Sequence, residues 1–112
     1  METKFNFKSQ ICTSIEQSRR LLELGLKKET ADCYWFYCDI AKEWKCTILS
    51  STQVFKDYPT TVIPAWSLHR LIKILGVQII EIWFDVDAYE DLIYMIQIRV
   101  EMGFLEDKYL EE

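Results

Sequence analysis

The spacing of apolar positions along the chain changes repeatedly, and each change marks an element. Ile11, Ile15, Ser18 and Leu22, flanked by Leu21, keep a helical interval. Thr13 or Ser14 offers an N-cap, Glu16 or Gln17 follows three residues on, and Gly25 marks the exit, so a first helix is predicted between them. Cys33 to Cys38 is a dense aromatic run, Cys-Tyr-Trp-Phe-Tyr-Cys, and reads as a strand. Trp44 to Leu49 reads as a second strand, and Asp39 to Glu43 has the length of a hairpin loop, although it lacks the glycine such loops favour. Ser50 to Ile63, with Ser, Thr, Asp and Pro59, reads as a long connection. Leu68, Leu71, Ile72 and Leu75 then repeat at helical spacing between Ser67, a cap, and Gly76, with Pro64 to Ser67 as the entry and Trp66 filling the core. Val77 to Val86 alternates as a third strand would. Asp87, with Glu90 three residues later, opens a last helix that runs to Gly103.

These elements predict an α+β domain of three helices packed on a small, mainly antiparallel three-stranded sheet, in the order α-β-β-α-β-α. The last helix departs from a one-sided pattern. Tyr89, Leu92, Ile93, Ile96 and Val100 form a core stripe, but Tyr94, Met95, Ile98 and Met102 populate the opposite side. One small core does not bury both sides of a helix, so Tyr94, Met95, Ile98 and Met102 are the candidate interface with a protein partner or a second copy.

Composition narrows the picture. The 112 residues, half of them apolar, suffice for one ordered domain over residues 1–112, with an acidic, polar tail at about 106–112. Net charge is -5, and the only basic groupings are Arg19-Arg20 and Lys27-Lys28. Glu16 and Glu23 stand four residues before Arg20 and Lys27, the spacing of local helix ion pairs. Phosphate-backbone binding needs clustered cations, so no nucleic-acid partner is expected. No apolar run approaches the roughly 20 residues of a membrane helix, and the first residues carry no export signal, so no membrane partner is expected and the default compartment is the cytoplasm.

The candidate chemistry is sparse. Cys12, Cys33, Cys38 and Cys46 lack the short knuckle of a structural zinc site. In a regular strand Cys33 and Cys38 also face opposite sides, so one metal does not collect both. Disulfides are disfavoured by the compartment. His69 lies beside the apolar stripe of its helix and reads as a surface histidine rather than a base. Asp85, Asp87, Glu90 and Asp91 could hold a cation, but Asp87 and Glu90 are accounted for by the helix start. No phosphate loop, nucleophile elbow or HExxH occurs. No catalytic residue, metal or cofactor is therefore expected.

The stretch from Ile11 to Leu26, Glu29-Thr-Ala-Asp32, Ile63-Pro-Ala-Trp-Ser-Leu68 and Tyr89-Glu-Asp-Leu-Ile93 together resemble a family of small uncharacterised proteins from Bacteroidetes chromosomes, prophages and mobile elements. The resemblance spans nearly the whole chain and implies a genomic setting without an activity, so no catalytic residue comes with it. The chain departs from that pattern at Cys33, where similar chains often carry methionine, which argues against a role for this thiol. The expected function is a nonenzymatic protein-interaction module, an adaptor or inhibitor. The alternatives are a small-ligand-binding domain walled by the aromatic strand Tyr34 to Tyr37, and a small enzyme around His69.

Overall fold

The computed structural model describes residues 10–76 and 88–111. Its first helix, α1 (Ile15–Glu23), starts in a reciprocal cap: Ser14 Oγ accepts from Gln17 N at 3.1 Å, and Gln17 Oε1 accepts from Ser14 N at 3.0 Å. Two otherwise orphaned amides are satisfied there, which selects Ser14 over Thr13 as the cap. Thr13 is buried instead. Ser18 and Leu21 form the buried face, while Ile11, expected on that stripe, is 56 % exposed because it precedes the helix and does not share its periodicity.

The strands β1 (Cys33–Cys38) and β2 (Glu43–Ile48) pair antiparallel, as the aromatic run and the short loop predict. Where the loop lacks a glycine, Lys42 itself takes the left-handed conformation, φ 58°, and its N–H donates to Cys38 O at 2.7 Å.

The described residues hold a third strand that the alternation did not mark. Val77 to Val86 lies outside the described residues, as do Asp85 and Asp87. Within the segment read as a long connection, the chain forms a one-turn helix, α2 (Gln53–Asp57), and a strand, β3 (Val62–Ala65). Both evade periodicity. The helix offers only Val54 and Phe55 as apolar residues, and Pro64 argues against a strand unless that strand is an edge. Here it is an edge, since the sheet order is β2-β1-β3, with β3 antiparallel to β1. Among the described residues, the three-stranded antiparallel sheet of an α+β fold is thus present, with Val62–Ala65 as its third strand.

Ser67 caps α3 (Leu68–Leu75) by accepting from Arg70 N at 3.1 Å, and Gly76 closes it at φ 65°. The last helix, α4 (Ala88–Glu101), packs on α3 and α1. One large cluster holds Leu21, Phe55, Trp66, Leu71, Ile74, Leu92, Ile93 and Ile96 together. Tyr34 packs against it, whereas the alternate residues Cys33 and Trp35 belong to a smaller cluster with Cys12, Ala65 and Cys46 on the other face of the sheet. Among the described residues no helix is long and apolar enough to cross a membrane.

Two electrostatic expectations are corrected. Arg20 does not settle on Glu16 but reaches Glu90 of α4 at 2.8 Å, because α1 and α4 lie side by side. Lys27 follows the end of α1, so the i,i+4 pairing with Glu23 does not arise. The acidic tail is tied down by backbone hydrogen bonds: Lys27 N donates to Tyr109 O at 2.9 Å, and Glu111 N to Gly25 O at 2.6 Å.

Candidate functional site

Along β1, alternation sends Tyr34 and Phe36 to the face that carries α2, with their ring centroids 6.0 Å apart. β3 covers β1 only as far as Phe36, since its last pair is Phe36 with Val62. Beyond that point β1 continues uncovered to Cys38, and the turn between α2 and β3 rises beside it. The result is an open groove of about 430 Å³ between strand, helix and turn. Tyr34 and Phe36 supply one wall, with Tyr37 at its end turning its ring to the other face, 5.7 Å from that of Trp44; Val54, Tyr58 and Val62 supply the other wall, and Asp39 and Thr61 lie at its edge. Tyr58 is 56 % exposed, so a large part of its ring is open to solvent. Such a volume, mostly apolar with a few polar groups, is the ordinary form of a small-molecule or side-chain pocket. Tyr34, Phe36, Tyr58 and Asp39 line it, a set suited to an apolar group that carries positive charge.

On the opposite face of the sheet, Cys12, Cys33 and Cys46 bring their sulfurs within 4.8 Å of one another. Cys12 and Cys46 are disulfide-bonded, which corrects the expectation that no disulfide forms, and Cys33 beside them is a free thiol. Burial is the main cause that pushes the Cys33 thiol up to about 11, with the neighbouring Asp32 carboxylate adding to it. Cys38 stands apart: it pairs with Glu43 at the far end of β1, so the opposite-face argument for Cys33 and Cys38 holds. What spacing did not reveal is that the hairpin brings Cys46 beside Cys33, and that the lead into α1 lays Cys12 over both.

No family model, curated protein or solved structure matches this chain.

Of the sequence-derived candidates, Tyr94 and Met102 are exposed on α4, at 61 % and 59 %, and Ile98 is partly exposed between them. Met95 differs, because it packs against the main core. Phe104, just past the helix and 67 % exposed, extends the apolar surface. His69 is exposed on α3. Glu90, read as part of a helix-start acid cluster, has its carboxylate taken up by Arg20 and Gln17, and those hydrogen bonds hold it below its ordinary range. The groove itself was half legible: the aromatic strand identified one wall, while Tyr58 and Thr61 sat in a segment read as connection.

Proposed function

We propose that the protein is a nonenzymatic binding module whose groove receives an apolar, positively charged group, such as an alkylammonium or guanidinium side chain presented by a protein partner. The observation that carries this reading is that Tyr34, Phe36, Tyr58 and Asp39 line one open groove. Ring faces attract cations by their quadrupole, by about 0.5–2 kcal/mol each according to desolvation. A carboxylate at the rim adds Coulomb attraction, and the net charge of -5 favours a basic partner over an acidic one. The resemblance to proteins of prophages and mobile elements fits a small accessory protein that acts by binding.

Choline and its neutral isostere 3,3-dimethylbutan-1-ol separate charge from shape. Ring resonances of the groove tyrosines should shift saturably with choline and far less with the alcohol, and Tyr58→Ala and Asp39→Asn should each weaken choline binding several-fold. Saturable shifts of equal size with both compounds would reject the cation, and no saturable shift with either would reject the groove.

A second reading rests on a separate observation, the exposed row Tyr94, Ile98 and Met102 with Phe104 beyond it, and takes α4 as a contact surface for another protein or a second copy.

A further inference from the structure

We propose that Cys12, Cys33 and Cys46, in their reduced state, form a three-thiolate site for a zinc-like ion. The three residues come from three parts of the chain: the lead into α1, the first residue of β1, and the middle of β2. Register explains two of them. Cys33 pairs with Ile48 and Trp35 with Cys46, so Cys33 and Cys46 are diagonal neighbours on one face of the sheet. Cys12 is brought over them by hydrogen bonds in which no sulfur takes part. Thr13 N donates to Trp66 O at 2.8 Å, Thr13 Oγ1 accepts from Trp66 N at 3.0 Å, and Thr13 O accepts from Trp35 Nε1 at 2.8 Å. The scaffold therefore fixes the three thiols independently of any bond among them.

A cross-link between Cys12 and Cys46 accounts for two of the sulfurs and leaves the third unexplained. The Cα atoms of Cys12 and Cys46 stand 7.4 Å apart. Ordinary disulfides keep this separation between about 4.4 and 6.8 Å. A shared metal is less demanding, because each sulfur sits about 2.3 Å from the ion and the sulfurs of a tetrahedral site lie well apart from one another. Cys33 Sγ lies within 4.8 Å of both bonded sulfurs, so reduction, which frees those two to move apart, leaves three thiols within reach of one ion. Thiolates select soft or borderline ions, which excludes calcium and magnesium and favours zinc. Among the described residues no fourth sulfur, imidazole or carboxylate joins the cluster. Asp32, the nearest acid in sequence, accepts from Ser67 N at 2.8 Å and from its hydroxyl. The fourth position would thus be open to water or an outside ligand, reached from the side of Cys46, which is less deeply buried than the other two.

The test starts with the full chain reduced by a phosphine, which takes up the oxygen of one water molecule and returns both disulfide sulfurs to thiols. After removal of metal, cobalt(II) or zinc(II) is added, and each thiol that ligates releases its proton to solvent. Reduced protein should bind one equivalent, and the cobalt form should show sulfur-to-metal charge-transfer absorption. Cys33→Ser should weaken binding at least tenfold, whereas Cys38→Ser should leave it unchanged. A second measurement needs no variant: zinc should protect Cys12, Cys33 and Cys46 from alkylation while Cys38 is modified, as read by peptide mass mapping. Reduced protein that takes up no metal, or in which Cys12, Cys33 and Cys46 are no better protected with zinc than in the metal-free protein, overturns the proposal and leaves a disulfide only. Binding by Cys33→Ser equal to that of the wild type overturns it as well.

Discussion

Thr13 shows how much one side chain can organise without any motif to announce it. Its hydroxyl meets Ser18 Oγ at 2.7 Å and accepts from Trp66 N, while its backbone N–H and C=O bind Trp66 and Trp35. Both Thr13 and Ser18 are fully buried. Replacing Thr13 by Val keeps the shape but orphans the Trp66 amide and the Ser18 hydroxyl, so we expect a loss of about 1–3 kcal/mol in urea unfolding, with the slope unchanged. Trp66 is itself fully buried, and its indole N–H donates to Thr30 Oγ1 at 2.9 Å. Trp66→Ala should therefore cost about 3–5 kcal/mol, and unchanged stability would refute its role as the hub between α1, β3 and α3. Lys42 works in the opposite direction. At φ 58° it bears the left-handed penalty of a side chain, so Lys42→Gly should raise stability by up to about 1 kcal/mol in thermal unfolding. Trp66 was legible in the sequence because it directly precedes Ser67, the local cap of α3. The partnership of Thr13 with Trp66 was not, since it links positions 53 apart in the chain.

Elements with a long repeat or a local cap were readable, and short ones were not. α1, β1, β2, α3 and α4 all lie within a few residues of where the pattern put them, because each satisfies its own backbone and shows a face. The one-turn α2 and the four-residue β3 are held by neighbours instead: Phe55 by the core, and Val62 to Ala65 by the ladder with β1. This is also why the far wall of the aromatic groove escaped notice. The same contrast governs charge. Glu16 and Arg20 fit a local rule, yet Arg20 joins Glu90 across the α1–α4 contact. Hydrogen bonds from Gln17 and then Arg20 hold Glu90 below its ordinary value of 4.5. A depressed carboxylate pKa stabilises the fold fully above the unfolded value and loses that contribution as pH falls through the folded one. Both side chains are 40 % exposed, which limits the effect to about 0.2–1 kcal/mol. Wild type should accordingly lose thermal stability below pH 4.5 more steeply than Glu90→Gln, and parallel acid profiles would show that the bridge contributes nothing.

At the scale of the whole molecule, the α4 helix has apolar residues on two sides, and among the described residues the main core encloses one of them. Leu92, Ile93 and Ile96 are completely enclosed by the main cluster. Tyr94 and Met102 remain more than half exposed, with Ile98 between them and Phe104 beyond the helix end. Large aromatic and methionine side chains bury much adaptable area with little polar cost, which is why interfaces enrich them. If this row meets a second copy, a glutamate at its centre would carry an unpaired charge into the contact, where desolvation costs far more than at a free surface. We expect the wild-type protein to scatter light as a dimer and Ile98→Glu as a monomer with an unchanged far-ultraviolet circular dichroism spectrum. Unfolding of the mutant would mean that Ile98 belongs to the core rather than to a surface. A wild-type monomer would leave the row to a different partner, and in that case Ile98→Glu should not alter melting temperature, because an already wet position loses little on acquiring a charge. The groove on the sheet lies on other elements, so choline binding should survive Ile98→Glu, and the two surfaces can be tested one without the other.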